Sequence, residues 1–166
     1  EIAEQTAVTP DPQPLDPAQM RELAERSVDA RTRVVRPVRE TLADTCRILA
    51  AEGHESGLAG QISARAETPG RFVTLAFGWG FDEASAQRMV EIDDGLVCTD
   101  GSGAIANPAT RFHLWVYRNR PDVQAIVHTH PPHASALSMI GVPLKVSHMD
   151  ATPFADNCAY LPTWPG

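Results

Sequence analysis

A chain of 166 residues with 43% apolar content is long enough to bury a sizeable core in one globular domain. Its 14 basic against 21 acidic side chains leave a net charge of −7, which repels phosphate backbones and anionic lipid and argues against nucleic acid or a membrane surface as partner. No apolar run approaches the ~20 residues of a membrane helix. Glu1 to Pro14 lacks the apolar centre of a signal peptide. Three separated cysteines, Cys46, Cys98 and Cys158, suggest reduced thiols in a cytoplasmic setting.

In chain order, the proline-interrupted residues 1–15 read as a flexible arm, and 16–166 as a single domain. Asp16-Pro17 starts a helix, with Asp16 as N-cap and Gln19 placed to complete a capping box; Leu23, Ala24, Ser27 and Val28 give it only a thin apolar stripe. A second helix is predicted from Pro37 to Ala51, with Val38, Leu42, Cys46 and Leu49 on one face and Gly53 ending it. Gly57 and Gly60 then form a loop that feeds an alternating strand, read equally as a plain connection or as one with backbone amides open to a ligand. Phe72 to Leu75 is its hairpin partner across Pro69-Gly70. Phe77, Trp79 and Phe81 make either a core plug or a wall of an apolar pocket. Met89 to Ile92 and Leu96 to Cys98 read as short strands around Asp93-Asp94-Gly95. Asn107-Pro108 caps a helix expected to turn Phe112, Trp115 and Val116 inward. Ala134 to Ile140 reads as a helix and Leu144 to His148 as a strand.

The chemistry concentrates at Val123 to His133. Val123 to Val127 reads as a buried strand, and it ends in His128 and His130, spaced so that both side chains share a face. Neutral imidazole is a common ligand for zinc and iron, so the pair is half of a metal site. Four of the six histidines lie between His128 and His148. His133 reads equally as a group orienting a ligand or as a surface residue, His148 as an added ligand or substrate contact with Asp150 as its partner, and His113 as structural. Arg65 pairs either with a substrate carboxylate or with a neighbouring subunit.

Arg111 to Tyr117, followed by Arg120-Pro121-Asp122-Val123 and Val127-His128-Thr129-His130-Pro131, resembles the helix-plus-HxH signature of the class II aldolase/adducin superfamily. Gly60-Gln61-Ile62-Ser63 resembles its Gly-Asn-[Ile/Val]-Ser loop, with Gln61 in place of the usual Asn. The resemblance implies a three-layer α/β/α sandwich around a largely antiparallel sheet, assembled as a homotetramer with sites at subunit borders. It also implies that His128 and His130 are two of three histidine ligands of a divalent metal, zinc or iron(II). Gly60, Gln61, Trp79 and Asn107 are the expected substrate contacts.

Three departures shape the functional expectation. The family's third histidine falls beyond Gly166, so either the chain is a piece of a longer polypeptide, the favoured reading, or His148 or His133 substitutes. The family's catalytic Glu is replaced by Ala109, and a methyl group cannot relay a proton; Glu55, Tyr117 or a carboxylate of another subunit is the expected replacement. The small hydroxyl residues that hold a sugar phosphate are also replaced. The leading expectation is therefore a metal-dependent lyase that cleaves a C–C bond of a small unphosphorylated hydroxy- or oxo-acid. A second is a non-haem iron(II) oxygenase acting on an aromatic 2-oxo acid or mandelate, similar to the superfamily members that form prenylated hydroxybenzoate in antibiotic biosynthesis. A third is a non-catalytic, adducin-like module.

Overall fold

The structure, a computed structural model, describes residues 16–32, 36–54 and 56–163, in two units that meet in sequence at Arg36 and Pro37. The expected arm over 1–15 lies outside the described residues. The first unit carries helix α1, Pro17–Thr32. Its capping box forms as the sequence predicts: Asp16 Oδ1 accepts from the amides of Ala18 and Gln19 at 2.8 Å, and Gln19 Oε1 accepts from the Asp16 amide at 3.0 Å.

The second unit begins with helix α2, Val38–Ala51. Gly53, at φ +74°, ends it in the left-handed conformation. The amide of His54 reaches back to the Leu49 carbonyl at 2.8 Å, and that of Gly53 to Ala50. Strands β1 (Gln61–Arg65), β2 (Phe72–Leu75), β3 (Met89–Ile92) and β4 (Ala125–His128) form one sheet in the order β3-β2-β1-β4, antiparallel at every pairing. Helix α3 spans Thr110–Asn119 and α4 Pro132–Met139.

Strand alternation distributes the core over two faces. Ile62, Ala64, Val73, Leu75 and Met89 pack with Leu42, Ala43 and Cys46 of α2. Phe72, Val90 and Ile92 pack on the other face with Leu114 and Tyr117 of α3. The result is helix on sheet on helix, and each fully buried Ile or Leu contributes about 1.5–3 kcal/mol. Three sequence expectations need correction. Helix α3 turns Thr110, His113, Leu114 and Tyr117 inward, while Phe112 and Trp115 are 51% and 64% exposed. Strand β4 is a sheet edge rather than a buried strand, with Val127 49% exposed. Leu96 to Cys98 and Leu144 to His148 are not strands: the first makes only an isolated bridge from Cys98 to Ile92, and the second is irregular.

Candidate metal and substrate site

The antiparallel register puts His128 directly opposite Gln61, and Ile126 opposite Ser63, so these four side chains share the sheet face that α3 covers. Gln61 Oε1 lies 2.7 Å from His128 Nδ1. An amide oxygen only accepts, so Nδ1 carries the proton and Nε2 is left as a lone pair. His130, two residues on, closes to 3.0 Å between its Nε2 and that of His128, with ring centroids 4.8 Å apart. Two nitrogens that each sit about 2.0–2.1 Å from one zinc ion are themselves separated by about 3 Å when the angle between them is near a right angle. The donor type and the spacing of the pair therefore suit a single cation.

Thr129, between the two histidines, is tied to the end of α2 by its Oγ1, 3.3 Å from His54 Nδ1. Gly60 holds the other side of the strand end. At φ +104° it accepts a conformation that disfavours side chains, and a Cβ there would approach the His128 carbonyl oxygen to 3.1 Å. Partial burial and the neighbouring His130 both push the His128 pKa below the usual imidazole value, which keeps this ring neutral and able to ligate.

Beside His128 opens a cavity of about 580 Å³, walled by Phe112, Val116, Ile126 and Leu161, with His113 and Ser138 as further polar contributions. No Lys or Arg is among the described residues that line it. A second, narrow cleft of about 10 Å³ gathers Gly60, Gln61, Trp79 and Asn107. All four expected substrate contacts thus meet, but around a space that admits little more than a water molecule. In the aromatic loop, Phe81 is a core plug, whereas Phe77 and Trp79 are partly exposed at this cleft, with the Arg88 guanidinium 3.6 Å above the Trp79 ring.

The remaining expected site residues fall elsewhere. Among the described residues no three His, Cys, Asp or Glu side chains gather around one point, and His148 is not brought to the pair. It is exposed, and its Nδ1 accepts from the Asp150 amide at 3.2 Å. His133 is exposed on α4. Tyr117 is buried, stacked on Phe72 at 4.7 Å, with its hydroxyl donated to the Ser63 carbonyl at 3.0 Å; it does not face the cavity. Burial also pushes its pKa up, which suits a structural phenol. Arg65 donates to the carbonyls of Val123 and Tyr117 at 2.9 and 3.0 Å and covers the Tyr117 ring, so it ties α3 to the sheet. Glu55 lies outside the described residues.

His113, which reads as structural in the sequence, is buried next to the pair. It is 2% exposed, its Nδ1 is 2.8 Å from Ser63 Oγ, and its ring centroid stands 6.3 Å from that of His128. Burial, and secondarily His128, lowers its pKa to about 4. Its place in the helix four residues before Tyr117 was a usable signal, since both side chains reach Ser63.

The chain is 34% identical over 114 residues to a 3,4-dihydroxyphthalate decarboxylase of Arthrobacter keyseri, a match covering 64% of this chain and 46% of that protein. An L-fuculose phosphate aldolase of Escherichia coli is 30% identical over 107 residues, covering 64% of this chain and 48% of the aldolase. The solved L-fuculose 1-phosphate aldolase of Glaciozyma antarctica superposes with a TM-score of 0.67 at 27% identity, over 72% of this chain and 50% of that one. The chain spans about half the length of the curated relatives it matches. The family model for the class II aldolase and adducin N-terminal domain matches residues 40–165, and the chain belongs to that family.

Proposed function

We propose that this chain contributes the metal-binding part of a lyase that removes a carboxyl group from a small, unphosphorylated aromatic hydroxy-acid. The observation that carries the reading is the cavity itself: an apolar chamber of about 580 Å³ with His128 in its wall and no cationic side chain among its described lining residues. A phosphate dianion is held best by cationic side chains, which the described lining lacks, whereas an aromatic ring is favoured against Phe112, Val116 and Ile126. Ala109, where family aldolases carry their proton-relaying Glu, points the same way, and one relative is named for decarboxylating a dihydroxylated aromatic diacid.

His128 and His130 would hold the cation in this reading, and a divalent metal bound there would supply Lewis-acid polarisation of the substrate. Gln61 fixes the His128 tautomer, and His54 through Thr129 fixes the segment between the two ligands. The electron pair of the broken bond stays on the ring carbon, carbon dioxide leaves, and a proton ultimately drawn from water takes its place.

The test is carbon dioxide release from dihydroxyphthalate by the full-length protein, reconstituted with zinc, manganese or iron(II), with oxygen excluded. Metal-dependent release without oxygen supports the decarboxylase. Release that requires oxygen and consumes it would establish the oxygenase instead. A protein that neither turns over substrate nor takes up any divalent metal is the adducin-like module.

A further inference from the structure

Helix α3 serves two cavities. Phe112 and Val116 line the chamber with His128 in its wall, whereas Arg111, Leu114, Trp115 and Arg118 line a separate cavity of about 310 Å³, shared with Asp94 and Leu96 of the turn after β3. That volume falls within the range of small-molecule sites. Leu114 belongs to the buried core and Leu96 packs against it, so the apolar part of the lining is fixed. Arg111, Trp115 and Arg118 recur at the spacing of one helix face, and the Trp115 ring is 64% exposed. The two arginines differ. Arg118 is held, with Nε donating to both Asp94 carboxylate oxygens at 2.8 and 3.0 Å and Nη2 to the Asp94 carbonyl at 2.8 Å. Arg111 has no side-chain partner among the described residues, although every other described arginine of this unit pairs with a carboxylate or donates to a backbone carbonyl. In a chain where acidic side chains outnumber basic ones, 21 to 14, an unanswered guanidinium is the exception.

We propose that this cavity is a second small-molecule site, which takes a planar aromatic carboxylate with its carboxylate on the Arg111 fork and its ring against Trp115. Charge decides between anions. Asp94 answers Arg118, so the described lining, two Arg against one Asp, keeps a single uncompensated positive charge. One guanidinium matches one carboxylate through two parallel N–H···O bonds. A phosphate dianion would be only half compensated there and would meet the Asp94 carboxylate in the same cavity. A flat aromatic ring gains from an indole face beyond the area it buries, which a saturated ring of the same size does not. The site is separate from the histidine pair, and it stands or falls independently of the reaction assigned to the larger cavity.

The indole N–H resonance of Trp115 in the full-length protein, identified by its loss in Trp115→Phe, reads this site, because Trp115 does not line the larger cavity. Titration with benzoate should shift that resonance saturably in the millimolar range. Cyclohexanecarboxylate should bind several-fold more weakly, and inorganic phosphate should leave the resonance in place. Arg111 is exposed, so substitution there leaves the fold intact. Arg111→Gln should weaken benzoate binding about tenfold through loss of a charge-assisted pair, and Arg111→Lys, which keeps the charge without the planar fork, should fall between. His128→Ala, which disables the metal pair, should leave the titration unchanged. A Trp115 resonance that benzoate does not move, an equal response to phosphate or to cyclohexanecarboxylate, a titration lost in His128→Ala, or a benzoate Kd in Arg111→Gln within twofold of the wild type overturns the proposal.

Discussion

Replacing Gln61 with Leu isolates the hydrogen bond that orients His128. Gln61 is only 5% exposed, and its Oε1 is 2.7 Å from His128 Nδ1. Leu has nearly the same volume, so the packing of β1 is kept while the acceptor is lost. His128 is half-buried, and water can then reach its Nδ1, which limits the stability cost to about 1 kcal/mol. The effect on metal binding is larger. Without Gln61 the ring is free to adopt the tautomer that protonates Nε2, the nitrogen 3.0 Å from His130 Nε2. Loss of a group that orients a ligand typically lowers metal affinity 10- to 100-fold, which corresponds to about 1.4–2.7 kcal/mol. Chelator competition for zinc at pH 7.5, with metal-free melting curves as the control for folding, measures both. A zinc Kd in Gln61→Leu within twofold of the wild type, at equal stability, refutes the argument that this amide fixes the ligand.

Either His128→Ala or His130→Ala should abolish metal occupancy and turnover yet melt within about 1 kcal/mol of the wild type, because both sit at a strand end and neither belongs to the two buried apolar clusters; elemental analysis of the purified variants is the check. Gly60→Ala should destabilise by about 1–3 kcal/mol, since it combines a φ of +104° with a 3.1 Å approach to the His128 carbonyl oxygen, and urea unfolding reads the loss. For the metal-free protein, acid should weaken the fold through His113. Its folded pKa of about 4, set first by burial, lies below the unfolded value of about 6.5, so the unfolded chain binds the extra proton between those pH values. The contribution is complete above about pH 6.5 and is lost as pH falls toward 4, amounting to about 3 kcal/mol. Unfolding free energies at pH 4.5 and 7.0 should converge in His113→Gln relative to the wild type.

Elements whose signals are local were legible in the sequence. The capping box at Asp16, the glycine stop at Gly53 and the hairpin across Pro69-Gly70 each depend on residues within a few positions of one another, and each is found. The expected cap at Asn107-Pro108 is displaced: Asn107 Oδ1 accepts from the Ala109 amide in a turn ahead of α3, whose N-cap position is Ala109 without a side-chain cap. What failed among the strands has two causes, a local side-chain turn in one case and a missing neighbour in the other. Leu96 to Cys98 scored as a strand by residue type, but Asp93 Oδ1 accepts from the amides of Gly95 and Val97, and Leu96 is drawn to φ +69°, which is turn geometry. Leu144 to His148 has no strand beside it among the described residues, and a strand without a neighbour leaves its backbone groups to water.

The phase of α3 was the costliest misreading, and its cause locates the site. Ranking by hydropathy puts Phe112 and Trp115 inside, yet the helix buries Thr110 and His113 and leaves those aromatics exposed. Burying an imidazole is unfavourable unless its nitrogens are paired, and Ser63, fifty positions earlier, pairs one of them. Local pattern cannot show that partner, so the apolar positions Phe112, Trp115 and Val116 set the predicted inward face although His113 reads as structural. The other nitrogen stays unpaired beside the same cavity that His128 enters. A helix that turns a histidine inward while aromatic alternatives stay exposed is accepting a cost in stability at one position. That position adjoins the candidate ligands, its ring centroid 6.3 Å from that of His128, which is where such a cost is expected.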